Sequence, residues 1–239
     1  MNEINNQVLK ILNELIEVSK GEKRINNFMD FHQCIESNLH KFEKLDKTIF
    51  KTYLEKILLG ENNAGVINIM SHTGLLTVII PEWQDTIKFD QKKKSHIFTV
   101  DMHTINAIGN AERDLIISLS LLLHDIGKPK CFTIDENGIG HFKDHNIVSA
   151  EMSKTILKRL GYSEDIINRV YNLIKLHLFY REQINKEYVQ MMLDVLGPED
   201  IYRFFKITEA DKIAHKGPYD FLTIDRMKIY LYMITGEIK

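Results

Sequence analysis

The chain has 239 residues, 44% of them hydrophobic and 27% charged, with a formal net charge of -2. That length allows one sizeable domain, or one domain with an extension. The near-neutral balance offers no global attraction to nucleic acid or an anionic membrane, and no apolar run approaches the ~20 residues a bilayer span needs.

So few helix breakers as 12 Gly and four Pro favour long helices. The only cysteines, Cys34 and Cys131, make neither a disulfide framework nor a Cys-x-x-Cys knuckle. The polar start MNEINNQVLK is unlike a signal peptide. A reducing, cytoplasmic location is the expectation.

Val8, Leu9, Ile11, Leu12, Leu15 and Ile16 mark a first amphipathic helix that ends near Gly21. Asn27–Leu59 reads as further helix, with Phe28, Phe31, Ile35, Leu39 and Phe42 at helical spacing, and GENNAG at 60–65 as a loop. Two short helices follow, broken at Gly74 and stopped by Pro81, and QKKKSH at 91–96 reads as a solvated basic connection. A helix is predicted from about Met102 to Ala111 with Asp101 as N-cap, and another from Asp114 to Asp125. In CFTIDENGIGHF, Asn137-Gly138 between short apolar arms signals a hairpin. Asp144 is a candidate cap for a helix over 145–160 that ends at Gly161, and helices near 163–178, 187–196, 199–215 and 219–235 complete the chain.

Several of these helices carry a polar residue on an apolar stripe. His145 aligns with Val148, Met152 and Ile156, His177 with Ile166, Val170, Leu173 and Ile174, and Asp211 with Ile201, Phe204, Phe205 and Thr208. His103 shares a face with Ala107 and Ala111, and His124-Asp125 ends the run LIISLSLLL. One such histidine is ordinarily a satisfied core group, but an unpaired buried carboxylate costs several kcal/mol. Imidazole and carboxylate brought inward from several helices suit a divalent transition metal, with Asp125 able to bridge if two ions bind. Neighbours in sequence lie about 100° apart on a helix, so His124 and Asp125 can share a centre only at a helix end, which Gly127 and Pro129 supply. Lys128 in that loop is either a cation for a phosphate oxygen or a solvated lysine. For His96 and His141 an ordinary surface or hairpin role is favoured over proton shuttling, and for Cys131 packing is favoured over nucleophilic attack.

His103, His124-Asp125 and Asp211 resemble the H…HD…D signature of the HD-domain metal-dependent phosphohydrolases, and His145 with His177 extends it to the pattern of two-metal members. GLLTVIIPEW followed by HIFTVDMHT is similar to the segment before the HD pair in bacterial uridylyl-removing enzymes. HDIGKP with DENGIGHFKDHNIVSAEM resembles the HD region of tRNA nucleotidyltransferases. The resemblance spans roughly residues 50–215. It implies an all-α HD-domain helical bundle with one short β-hairpin, residues 81–239, preceded by a helical extension over residues 1–80. The relatives' nucleotidyltransferase heads use an Asp-x-Asp pair, which does not occur here, so nucleotidyl transfer is not expected and the chain looks like the HD half alone.

The expected function is a phosphohydrolase. One or two divalent ions (Mn, Fe, Ni, Co, Zn or Mg) would be held by His103, His124, Asp125, His145, His177 and Asp211. Asp125 and Lys128 would act at the reacting phosphate. A nucleotide, a cyclic nucleotide or a related small phosphoester is the expected substrate. Two rival readings are a di-iron HD-type oxygenase and a non-catalytic metal-containing module binding a nucleotide or RNA. Nucleic acid is the less favoured partner, because no stacking-aromatic pattern or basic face marks one. The sequence leaves the oligomeric state open.

Overall fold

The computed structural model describes residues 3–92, 97–179, 181–215 and 221–237. The predicted all-α architecture is present. The N-terminal helices are α1 (Glu3–Ser19), α2 (Phe28–Ser37), α3 (Leu39–Phe42), α4 (Lys47–Leu58), α5 (Asn63–His72) and α6 (Leu75–Ile79). The helical region predicted over Asn27–Leu59 is three helices, α2 to α4. Asn27 caps α2 by accepting from the backbone N–H groups of Met29 and Asp30, and Asp46 restarts the chain as the cap of α4 by accepting from Thr48. The loop expected at 60–65 is shorter, since α5 begins at Asn63.

A 3-10 turn, Pro81–Thr86, begins the strap that precedes α7 (Val100–Gly109) and α8 (Leu115–Leu123); residues 87–92 and 97–99 of the strap are described. Asp101 does not cap α7. The cap position is Thr99, and the buried Asp101 carboxylate turns back to accept from the backbone N–H of Lys88 and the hydroxyl of Thr99. It therefore ties the strap to the helix. Asp114 does cap α8, accepting from Ile116 and Ile117.

Beyond α8 come a 3-10 turn at Lys128–Cys131 and the hairpin β1 (Phe132–Ile134) and β2 (Gly140–Phe142), antiparallel with Phe132 opposite Phe142. Then follow α9 (His145–Arg159), α10 (Glu164–Leu176), α11 (Lys186–Ile213) and α12 (Leu222–Thr235). Asp144 holds the cap position of α9 with φ 58°, but its side chain makes no capping bond. The break expected before residue 199 is a kink in α11, where Gly197 adopts φ 74° ahead of Pro198.

α8 is the axis of the bundle. Ile116 to Leu123 are all buried, and the helix packs against α7, α10 and α11. A segment apolar on every side belongs inside a protein. One continuous core runs from Val8 to Leu231, and through it α5 meets α7 and α4 meets α8. No helix among the described residues is long and apolar enough to cross a membrane. Both cysteines are free thiols.

Candidate metal centre

The C-terminal end of α8 carries the centre. His124 is its C-cap residue, and Asp125 to Gly127 turn the chain away at once. That turn removes the helical separation of the neighbouring side chains, and His124 Nε2 lies 3.2 Å from Asp125 Oδ2. Gly127 is required there. A Cβ on it would sit 2.8 Å from the backbone nitrogen of Ser149, and its own N–H donates to Ser149 Oγ at 2.9 Å. The close approach seats α9 on the turn and carries His145 to the centre. The buried face of α9 is His145, Ser149, Ala150, Ser153, Ile156 and Leu157. Of the line read from the sequence, His145 and Ile156 are buried and Val148 and Met152 half-buried, because Ser149, Ala150 and Ser153 share the contact.

Two groups of donor atoms form around Asp125. On its Oδ2 side are His103 Nε2 at 3.5 Å and His124 Nε2, with Asp211 Oδ1 2.8 Å from His103 and 3.4 Å from His124. On its Oδ1 side are His145 Nε2 at 3.4 Å and His177 Nε2 at 4.0 Å. All six residues predicted as ligands therefore converge, with Asp125 between the two groups. His103, His124 and Asp125 are almost wholly buried.

Backbone carbonyls fix the histidine rings. The Nδ1–H of His124 donates to Leu121 at 2.7 Å, that of His145 to Phe142 at 2.8 Å and that of His177 to Ile174 at 2.6 Å, and Nδ1 of His103 faces the Ala214 carbonyl at 3.4 Å. These partners place a proton on Nδ1 and aim each Nε2 inward, the usual arrangement of a metal-ligating histidine. On the Oδ1 side Nε2 of His145 and Nε2 of His177 face each other at 3.3 Å beside the same carboxylate oxygen.

A divalent ion fits this donor set. Ligands about 2.0–2.2 Å from one ion lie roughly 2.9–3.5 Å from each other, which is the spacing found here. His124 Nε2 and Asp125 Oδ1 are buried with no hydrogen-bond partner. Electrostatics agree. Burial disfavours charge on His124, but the Asp125 and Asp211 carboxylates outweigh it and raise its pKa to about 10. Burial, helped by the charges of His124 and His145, lowers His177 to about 3. Asp125 is held well below the ordinary carboxylate range against burial by His124 and Lys128, and Asp211 by His103 and His124.

Above the donors lies a cavity of about 350 Å³ lined by Asp125, Lys128, Phe142, His145, His177 and Leu178, with His141, Lys143, Asp211 and His215 completing its wall. Lys128 is not a solvated loop lysine, since it is 5% exposed with Nζ 2.6 Å from Asp125 Oδ2. His141 is an exposed hairpin residue whose Nε2 lies 2.9 Å from Asp135 Oδ2, although it also reaches the cavity mouth. His96 lies outside the described residues. Cys131 is half-buried and does not line the cavity.

His215 was missed in the sequence. It stands four residues after Asp211 on α11, donates its Nδ1–H to the Asp211 carbonyl at 2.8 Å, and packs edge-on against His103 with centroids 4.6 Å apart. The i, i+4 relation to Asp211 was the available signal.

Comparison with known proteins agrees with this geometry. Residues 96–198 match the family model of the HD domain. The chain is 26% identical over 189 residues to the bifunctional uridylyltransferase/uridylyl-removing enzyme of Ruegeria pomeroyi, covering 70% of this chain and 19% of the relative. It is 28% identical over 176 residues to the CC-adding tRNA nucleotidyltransferase of Thermus thermophilus, covering 70% of this chain and 39% of the relative. With the A-adding tRNA nucleotidyltransferase of Deinococcus radiodurans it shares 29% identity over 131 residues, 52% of this chain and 30% of that enzyme. The chain thus spans well under half the length of these relatives.

Proposed function

We propose that the protein is a metal-dependent phosphohydrolase acting on a small phosphoester, with a nucleotide or cyclic nucleotide as the favoured class. Its catalytic part would be residues 81–239, with residues 1–80 a helical extension, and it would work in the cytoplasm. The observation that carries the reading is the convergence of the Nε2 atoms of His145 and His177, 3.3 Å apart, on an Asp125 carboxylate shared with His103 and His124. A divalent ion would be ligated by this set while His177 stays neutral, the state its burial favours.

Divalent ions held by His103, His124, Asp125, His145, His177 and Asp211 would supply Lewis acidity and lower the pKa of a ligated water toward neutrality. The chain's own residues do the rest. Asp125 offers one oxygen to each donor group and sets their separation. The backbone carbonyls behind the histidines fix the rings before substrate arrives. Lys128 holds its ammonium at the cavity wall, where it would meet a phosphoryl oxygen and stabilise charge as the ester bond breaks. Lys143 and His141 at the mouth would favour entry of an anion. The relatives' names refer to uridylyl groups and to tRNA, which favours a nucleotide-bearing substrate for this chain too.

The test is hydrolysis of bis-p-nitrophenyl phosphate, 2′,3′-cyclic nucleotides and nucleoside monophosphates with Mn, Ni, Co, Zn, Fe or Mg added singly. Turnover that follows added metal and disappears in His177→Ala is the expected result. Iron-dependent oxygen consumption without phosphate release would replace this reading with the oxygenase.

A further inference from the structure

Between the Pro81–Thr86 turn and α7, Gln91 is 1% exposed, although it sits in a stretch of Gln and Lys that reads as solvated. Both ends of its amide are committed. Nε2 donates to the Phe98 carbonyl at 3.2 Å, which fixes the amide orientation and turns Oε1 toward Lys128, whose Nζ donates to it at 2.9 Å. The backbone around it is equally constrained. The N–H of Gly140 on β2 donates to the Lys92 carbonyl at 3.0 Å, and a Cβ on Gly140 would lie 2.2 Å from the Gln91 carbonyl oxygen. Strap, hairpin and the turn carrying Lys128 meet at this point.

We propose that Gln91 is a positioning residue that aims Lys128 at the substrate phosphoryl group, and that it is an amide so that the ammonium keeps its charge for that anion; this rests on the phosphohydrolase reading above. An ammonium has three N–H donors. Asp125 Oδ2 at 2.6 Å and Gln91 Oε1 occupy two directions, and the Phe142 ring, 5.5 Å from Nζ, closes a further side. The third N–H is left for the cavity that Lys128 lines. A carboxylate in place of Gln91 would bind the ammonium more strongly, and a structural pairing would gain from it. It would also cancel the positive potential that faces an incoming phosphate. A neutral acceptor orients without cancelling.

Gln91→Glu separates the two roles, because it keeps shape and acceptor while adding charge. The measurement is the Kd of inorganic phosphate for the manganese-loaded full chain, by calorimetric titration, in wild type, Q91E, K128M and the double variant, with Tm recorded for each. The expected result is an unchanged or higher Tm for Q91E with phosphate binding weakened about ten- to hundredfold, the size of one charge-assisted hydrogen bond. In the K128M background the same change has little further effect, since Gln91 acts through Lys128. Wild-type affinity in Q91E, or an equal loss in both backgrounds, overturns the inference. Phosphate binding that depends on Gln91 and Lys128 in a protein hydrolysing no phosphoester would instead overturn the function and leave the inference standing.

Discussion

Gly127→Ala tests how the turn after the HD pair builds the centre. Gly127 has φ -85° and ψ -11°, a conformation alanine adopts freely, so any effect is steric. The added Cβ would lie 2.8 Å from Ser149 N, 2.9 Å from Ser149 Oγ and 3.0 Å from Val148 Cγ1. The two side-chain atoms could rotate away, but the backbone nitrogen belongs to α9 and could move only with the helix. A normal contact requires a displacement of roughly half an ångström or more, and such overpacking costs about 1–3 kcal/mol. For a chain of this length that is about 2–12 °C in Tm. Because His145 begins α9, the same displacement carries its Nε2 away from Asp125 Oδ1, now 3.4 Å distant. The expected outcome is therefore a lower Tm together with weakened metal binding on the His145 side, read by calorimetry and metal titration of one preparation. Adding Ser149→Ala relieves the hydroxyl clash but not the backbone one, so rescue is partial. A G127A protein with wild-type Tm and wild-type metal affinity would refute the role given to this contact.

Asp211→Ala removes the carboxylate 2.8 Å from His103 Nε2 and is expected to weaken metal affinity by at least about 10–100-fold, the range seen when even an outer partner of a ligand is lost. Full retention of metal and activity would take Asp211 out of the centre. Asp200 accepts from Arg169 at 2.8 and 2.7 Å and from Arg203 at 3.0 Å; burial disfavours its charge, but these guanidinium groups outweigh it and hold its pKa below the ordinary 3.8 of an aspartate. Its contribution to stability is therefore complete above pH 3.8 and is lost as pH falls through the depressed value. Asp200→Asn is expected to cost about 1–3 kcal/mol at pH 7. It should also flatten the acid limb of the Tm–pH profile, and an acid limb identical to wild type would contradict the assignment.

What the sequence made legible follows from periodicity. Asp211 with Phe204 and Thr208, and His177 with Val170 and Leu173, share helix faces that are buried as the 3.6-residue period requires. The HD pair was readable because Gly127 and Pro129 mark a helix end, the one place where adjacent side chains can converge. Other features depended on partners distant in sequence. Asp101 occupies a cap-like position but bonds to Lys88 and Thr99, a choice set by the strap folding back. Gln91 sits in a polar run that reads as solvated, and its burial follows from the hairpin closing over it. On α9 the first half of the contact surface is serine and alanine, so hydrophobicity pointed to the half-buried Val148 and Met152 there and found only Ile156 of the buried apolar pair Ile156 and Leu157. The stretch Asn27–Leu59 kept helical spacing across two breaks because the caps at Asn27 and Asp46, and the turn at Asn38, are set by local polar bonds rather than by the apolar pattern.

The most direct measurement is metal content by elemental analysis of gently purified protein, compared between wild type and Asp125→Ala. Asp125 offers one oxygen to each donor group, so its loss should strip both. The account expects divalent metal in the wild type, restored by Mn, Fe, Co, Ni or Zn after chelation, and essentially none in D125A. A wild type that holds no metal under any of these conditions, or a D125A protein that holds as much, would mean that the inward histidines and carboxylates are polar core groups, and the metal centre would fall.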